Sequence, residues 1–242
     1  MLPVTDGCPA EVTINDRSSG RAWTVEVLPF ELGDTAVTVG LWADLSGESI
    51  DESRLRLPKT EVSWRDAVQF CNALSLRHGL EPAYEVRTVA VQIERSGRPH
   101  DRPAPDDWDV RWNHDADGYR LPTEAEWLYA CRSGTSGPRY GPLDAIAWYA
   151  ANSGGRVQPV AVKQPSPWGL HDMLGGVWEW CWELYDVSTY GPYRVIRGGG
   201  WADEPWSCRA GVRRKTQPTA QLDDLGFRLA RSPHKPVPGA AR

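Results

Sequence analysis

An α+β domain with much of its backbone in loops is what this sequence predicts, on three observations. Twenty prolines and 23 glycines in 242 residues punctuate the chain too often for long helices. Ser63/Asp66 and Thr123/Glu126 each stand at capping-box spacing at the head of an apolar helical stripe, the mark of a short capped helix. Several short runs alternate imperfectly between apolar and polar residues, as strands do. A hydrophobic content of 40% with 13 tryptophans supplies the core of a single domain.

The elements follow in order. Residues 1–22 read as an N-terminal segment with neither the basic start nor the apolar run of a leader, so a cytoplasmic protein is expected. The domain itself is placed at 23–231. WTVEVLPFE (23–31) favours strand, and so does TVGLW (38–42) after the Gly33-Asp34 turn. In VSWRDAVQFCNALSLRHGL, Trp64, Ala67, Val68, Cys71 and Leu74 share one helical face, and Gly79 closes the helix. Tyr84 to Ile93 suits a strand. RSGRPHDRPAPDD (95–107) is too rich in proline and charge to pack and reads as an exposed loop. Thr123 opens a second helix that buries Trp127, Ala130 and Cys131 and ends near Gly134. Regular periodicity then fades until YRVIR (193–197) and a closing strand GFRLAR (226–231), and 232–242 is a polar tail with nothing to bury.

Composition excludes several functions. A net charge of −5, with arginines scattered among acids, is wrong for a protein that neutralises nucleic-acid phosphates. No stretch approaches the ~18 apolar residues of a spanning helix, so no membrane partner is expected. The five cysteines, Cys8, Cys71, Cys131, Cys181 and Cys208, are an odd number at wide spacing without a C-x-x-C pair, which predicts reduced thiols. Neither H-E-x-x-H nor a close histidine pair occurs, so no protein-only transition-metal cage is visible.

Four ordered motifs carry a likeness: GYRLPTEAEWLYACR (118–132), WGLHDMLGGVWEWC (168–181), RVIRGGGW (194–201) and LGFRLA (225–230). With FELGDTAVT (30–38) and the Ser63 helix, they resemble the formylglycine-generating enzyme or sulfatase-modifying-factor family, which also contains ergothioneine-type sulfoxide synthases and siderophore-maturation proteins. The resemblance implies an irregular α+β fold of the C-type-lectin-like kind, with few short helices, small antiparallel sheets and long structured loops. It does not by itself imply a reaction, because chemistry belongs to the site.

The family's name-giving members oxidise a substrate cysteine with copper held by two cysteines after an R-G-G-S/G motif, a need that follows from the affinity of Cu(I) for thiolates. Here the first such position falls at Asp203 and the second near Trp206 and Ser207, with Cys208 alone close by. The resemblance therefore implies that copper is not bound, leaves any other redox metal open, and suggests that Cys131 and Cys208 lie near each other. It also places calcium on Asp172, the carbonyls of Gly175 and Val177, and Glu179, with Gly176 replacing the usual Asn. A hard cation takes several oxygens, and a glycine-rich turn lets carbonyls point inward. Asn152 marks a candidate second calcium site, without the acidic loop that would complete it.

Trp201, Asp203, Glu204, Trp206, Ser207, Cys208, Arg209 and Arg213 form the candidate pocket. Trp178 and Trp180 are expected in the core, and Trp201 and Trp206 exposed as a stacking surface. Arg209, Arg213 and Arg214 read as one polar strand face, paired with Asp223 and Asp224 or binding a ligand carboxylate. RGGGW is not a phosphate loop, since no helix N-terminus follows it. The expectation is a calcium-stabilised binding or accessory module for an unknown small molecule or peptide. A metal-dependent oxidative tailoring or maturation enzyme is the alternative, and a lectin-like recognition protein the third.

Overall fold

Both capping boxes open helices. A computed structural model describes residues 1–5, 8–17, 19–88 and 108–232. The strands before the first helix are β1 (Leu2–Pro3), β2 (Ala10–Asp16), β3 (Arg21–Val27) and β4 (Glu31–Leu32). Then come α1 (Val39–Ser46), α2 (Trp64–Arg77), β5 (Tyr84–Thr88), β6 (Trp108–Trp112), β7 (Tyr119–Arg120) and α3 (Glu124–Arg132). The last part holds β8 (Trp178–Leu184), β9 (Arg194–Arg197), β10 (Arg214–Thr216), β11 (Leu225–Gly226) and β12 (Ala230–Arg231). At α2 the Asp66 N–H donates to Ser63 Oγ at 3.1 Å and the Ser63 N–H to Asp66 Oδ2 at 3.0 Å. At α3 the same exchange joins Thr123 and Glu126 at 3.1 and 2.8 Å. Each pair satisfies two backbone donors that a helix start leaves open.

Two four-stranded sheets, ordered β1-β4-β12-β7 and β10-β9-β8-β11, are joined by hairpins β2–β3 and β5–β6. All pairings are antiparallel except β11 with β8. One core cluster gathers α3, the β2–β3 hairpin and the 168–181 segment around Trp127, Leu128, Leu170 and Met173. The other gathers α2 and β8 around Trp64, Trp180 and Phe227. Val12 and Ile14 of β2 are buried, so residues before Trp23 already belong to the packed body.

Two expectations change. TVGLW is helical, because Thr38 Oγ1 accepts from Leu41 N at 3.1 Å as an N-cap and Gly47, at φ 77°, closes α1. Gly40 is needed there for another reason: a Cβ would stand 2.9 Å from the Leu55 carbonyl oxygen. GFRLAR is not one strand. Its start, as β11, lies beside β8, its end, as β12, sits between β4 and β7, and Phe227 and Leu229 are buried between them. The strand expected at 84–93 is present as far as Thr88. The rest of that strand, the 95–107 loop and the tail from 233 lie outside the described residues.

Candidate functional site

The segment from Asp172 to Glu179 leads into β8. Glu179 is buried and its carboxylate faces Arg228, which donates Nε to Oε2 and Nη2 to Oε1, both at 2.7 Å. Trp127 Nε1 adds a third bond to Oε2 at 2.6 Å. Arg228 also donates to the carbonyls of Gly33 at 2.9 Å and His171 at 3.1 Å. Asp172, next to that carbonyl, has a positive φ of 54° and is buried. Its Oδ2 accepts from Ala161 N at 2.8 Å, while Oδ1 has no hydrogen-bond partner. Burial holds its carboxyl above the usual carboxylate range.

One oxygen of this cluster stands open. A buried oxygen without a partner is costly unless a donor or cation meets it, and Asp172 Oδ1 is such an oxygen. The Gly175 turn is tight, since at φ 73° a Cβ would reach 2.3 Å from the Trp148 carbonyl. Glu179 Oε2 is saturated by Arg228 and Trp127, so only Oε1 retains a lone pair. Asn152 is used locally: Nδ2 donates to Ala147 O at 3.0 Å and Oδ1 accepts from Tyr149 N at 2.9 Å. Among the described residues no three His, Cys, Asp or Glu side chains converge on a metal-sized site.

The 197–214 segment folds back on itself at Gly198 and Gly199, with φ of 106° and 87°, where a Cβ on Gly199 would stand 3.1 Å from Cys208 Sγ. Asp203 is the strut of this loop. Its Oδ2 accepts from Trp178 Nε1 at 2.7 Å and Gly200 N at 2.8 Å, and its Oδ1 from Ser207 Oγ at 3.0 Å. Arg214 completes the shell, with Nη1 3.6 Å from Oδ1 and Nη2 donating to Ser207 Oγ at 3.3 Å. The Arg214 guanidinium lies 4.9 Å from the ring centroids of both Trp178 and Trp206. Trp178 is buried, Trp206 is 50% exposed and Trp201 partly exposed. Cys208 is buried, and burial, helped by Asp203, pushes its thiol up to about 12.

The arginines divide differently from the sequence reading. Only Arg214 begins a strand; Arg209 opens a turn and Arg213 lies in irregular backbone after it. Arg213 points inward, donating Nε to both Glu124 oxygens at 2.7 and 2.9 Å and Nη2 to Tyr185 O at 3.0 Å, and lies 3.7 Å from Asp16. Arg197 reaches Glu124 at 2.6 Å. Arg213 is therefore an internal tie, and Asp203 takes the partner role expected of Asp223 and Asp224. A turn at 209–212 breaks the alternation on which the one-face reading depended. All five cysteines are free, and Cys131 Sγ lies 4.0 Å from the Met173 carbonyl.

Two surface clefts lie elsewhere. One, of about 240 Å³, is lined by Asp34, Thr38, Leu74, His78 and Tyr119, and the other, of about 400 Å³, by Val4, Tyr129 and Trp168. In the 201–214 region Trp206 and Arg214 present exposed faces side by side, as a shelf. Sequence reasoning missed Arg228 as the partner of Glu179 and Arg214 as the centre of the shelf. A lone arginine between Phe227 and Leu229, in a run bound for the core, was the available sign, since a charge is buried only with a partner.

Comparison with known proteins gives the family. A family model described as "Sulfatase-modifying factor enzyme 1-like domain" matches residues 5–233. The "Chaperone protein LppX" of Paenibacillus barcinonensis is 29% identical, over 89% of this chain and 85% of its own. The "Formylglycine-generating enzyme" of Streptomyces coelicolor is 28% identical, over 86% and 79%. Among solved structures, "Treponema denticola variable protein 1" superposes with a TM-score of 0.80 at 33% identity, covering 96% of this chain and 95% of that one. Against several longer curated proteins the chain spans 21% of their length. With the irregular α+β, C-type-lectin-like fold and a family match over nearly its whole length, the chain belongs to the sulfatase-modifying-factor family, that of the formylglycine-generating enzyme.

Proposed function

We propose that this domain is a binding or accessory module and not a sulfatase-activating oxidase. One observation carries the reading: where two thiolates would be needed to hold Cu(I), the loop has Asp203, committed to Trp178, Gly200 and Ser207. Carboxylates hold cuprous ion poorly. The remaining thiol, Cys208, is buried and protonated at neutral pH, which makes it a weak ligand and nucleophile. Similarity to a chaperone over most of both chains supports an accessory role. Asp172, with an unpartnered buried oxygen, together with the carbonyls of Gly175 and Val177 and one oxygen of Glu179, is the set that would hold a stabilising calcium.

Incubation with a Cys-x-Pro-x-Arg peptide, Cu(I) and oxygen tests the reading. No aldehyde is expected by mass spectrometry, and enzymatic turnover to formylglycine would overturn it. The 28% identity to a formylglycine-generating enzyme keeps an oxidative tailoring enzyme as the competing reading. Elemental analysis separates the two: a redox metal retained in stoichiometric amount favours the enzyme.

A further inference from the structure

Trp206 leaves half its surface in water although its loop has little freedom. Arg139 ties the loop's carbonyls, donating Nε to Cys208 O at 2.8 Å and Nη2 to Pro205 O. Ala150 N donates to Asp203 O and Ser207 N to Glu204 O, both at 3.0 Å. An exposed indole held this way needs little ordering when a ligand arrives. Trp64, Trp127, Trp178 and Trp180, by contrast, are buried.

The groups around Trp206 are of both signs. Arg214, stacked against it, keeps 40% of its side chain exposed. Ser207 takes one of the five N–H donors that a guanidinium carries, and Asp203 lies 3.6 Å from Nη1 without a hydrogen bond. Asp224 sits against Gly200, where an added Cβ would stand 2.7 Å from its Oδ2, and reaches the group through Arg214, whose charge it feels. Burial, then Asp203 and Asp223, raise the proton affinity of Asp224. Glu204 and Asp223 stand exposed at the rim.

This mixture discriminates among ligands. An anion meets Asp224, Asp223 and Glu204, and a simple cation meets Arg214 at the centre. Adjacent hydroxyls satisfy both charges at once: one donates to the Asp224 carboxylate and its neighbour accepts from Arg214. The apolar C–H face of the same ring covers the indole. We propose that the shelf of Trp206, Arg214 and Asp224 binds a neutral saccharide. This rests on the binding-module reading above and names its ligand class.

The test follows tryptophan indole N–H resonances in two-dimensional NMR while methyl glucoside, methyl galactoside, methyl mannoside and N-acetylglucosamine are titrated separately. Tetralysine and inorganic phosphate serve as the charged probes. At least one sugar is expected to move the Trp206 and Trp178 signals, with a dissociation constant on the order of millimolar. Trp206→Ala, at an exposed position, lowers that affinity roughly tenfold with the fold unchanged. Gly200→Ala, which pushes Asp224 aside, weakens it too. Absence of any sugar response, a response confined to other tryptophans, or shifts with tetralysine or phosphate alone would overturn the proposal. Aldehyde formation in the same preparation defeats only the non-oxidase reading, so the two failures stay distinct.

Discussion

Arg228 shows how much one side chain carries. Its guanidinium and the Glu179 carboxylate are 0% and 1% exposed, and five hydrogen bonds hold the pair: two between them, one from Trp127 and two to backbone carbonyls. Ion pairing at such depth only offsets the desolvation of both charges, but removing one partner leaves the other stranded. Arg228→Met is expected to lower unfolding free energy by about 3–5 kcal/mol, read from urea midpoints. Adding Glu179→Gln to that variant restores part of the loss. If the single and double variants are equally unstable, packing and not charge is what Arg228 supplies.

At the scale of elements, the junction of β8 with α3 sets up a titration. Glu183 Oε2 accepts from Glu124 N at 2.7 Å in the first turn of α3. Burial, then the nearby Glu124 carboxylate, raises its pKa from 4.5 to about 8. A carboxyl whose folded pKa lies above the unfolded value favours the fold below the unfolded pKa and loses that contribution as pH rises toward 8. A glutamine side chain at this position keeps the acceptor and does not ionise. Glu183→Gln is therefore expected to match the parent near pH 4.5 and exceed it in stability at pH 8.5. Because Glu183 is only half-buried, solvent screening holds the gain near ~1 kcal/mol. Equal urea midpoints at pH 8.5 would refute it.

The same scale shows what is legible in the sequence. α2 and α3 are readable because capping boxes are local, with donor, acceptor and apolar stripe within four residues. α1 reads as strand since Thr38 and Val39 are β-branched and its cap carries no acidic partner. β8 escapes because Trp178, Glu179, Trp180 and Cys181 are all buried, so apolar and polar residues do not report two faces. The family resemblance points to Asp172 and Glu179, but the partner of Glu179 lies 49 positions away, beyond any local pattern.

For the whole molecule, Asp172 is tied to the loop before it through Ala161, and the neighbouring His171 carbonyl to the approach of β12 through Arg228, so the calcium proposed at Asp172 would act on both. A cation bound there only in the native state raises apparent stability, by about 2.7 kcal/mol at a concentration 100-fold above its dissociation constant. Thermal melting is expected to shift upward with calcium and downward with a chelator, and Asp172→Ala to abolish both responses. A melting temperature indifferent to calcium removes Asp172 from the ligand role.

Leu225 to Arg231 touches both four-stranded sheets, supplying β8 with its parallel neighbour and β4 with its antiparallel one. A ribosome delivers that stretch after the other described strands, so during synthesis β8, already paired with β9, and β4, already paired with β1, each wait with one edge open. Long-range closure of this kind is slow. Until that stretch arrives, the open strand edges are where the nascent chain is most prone to aggregate and most in need of shelter.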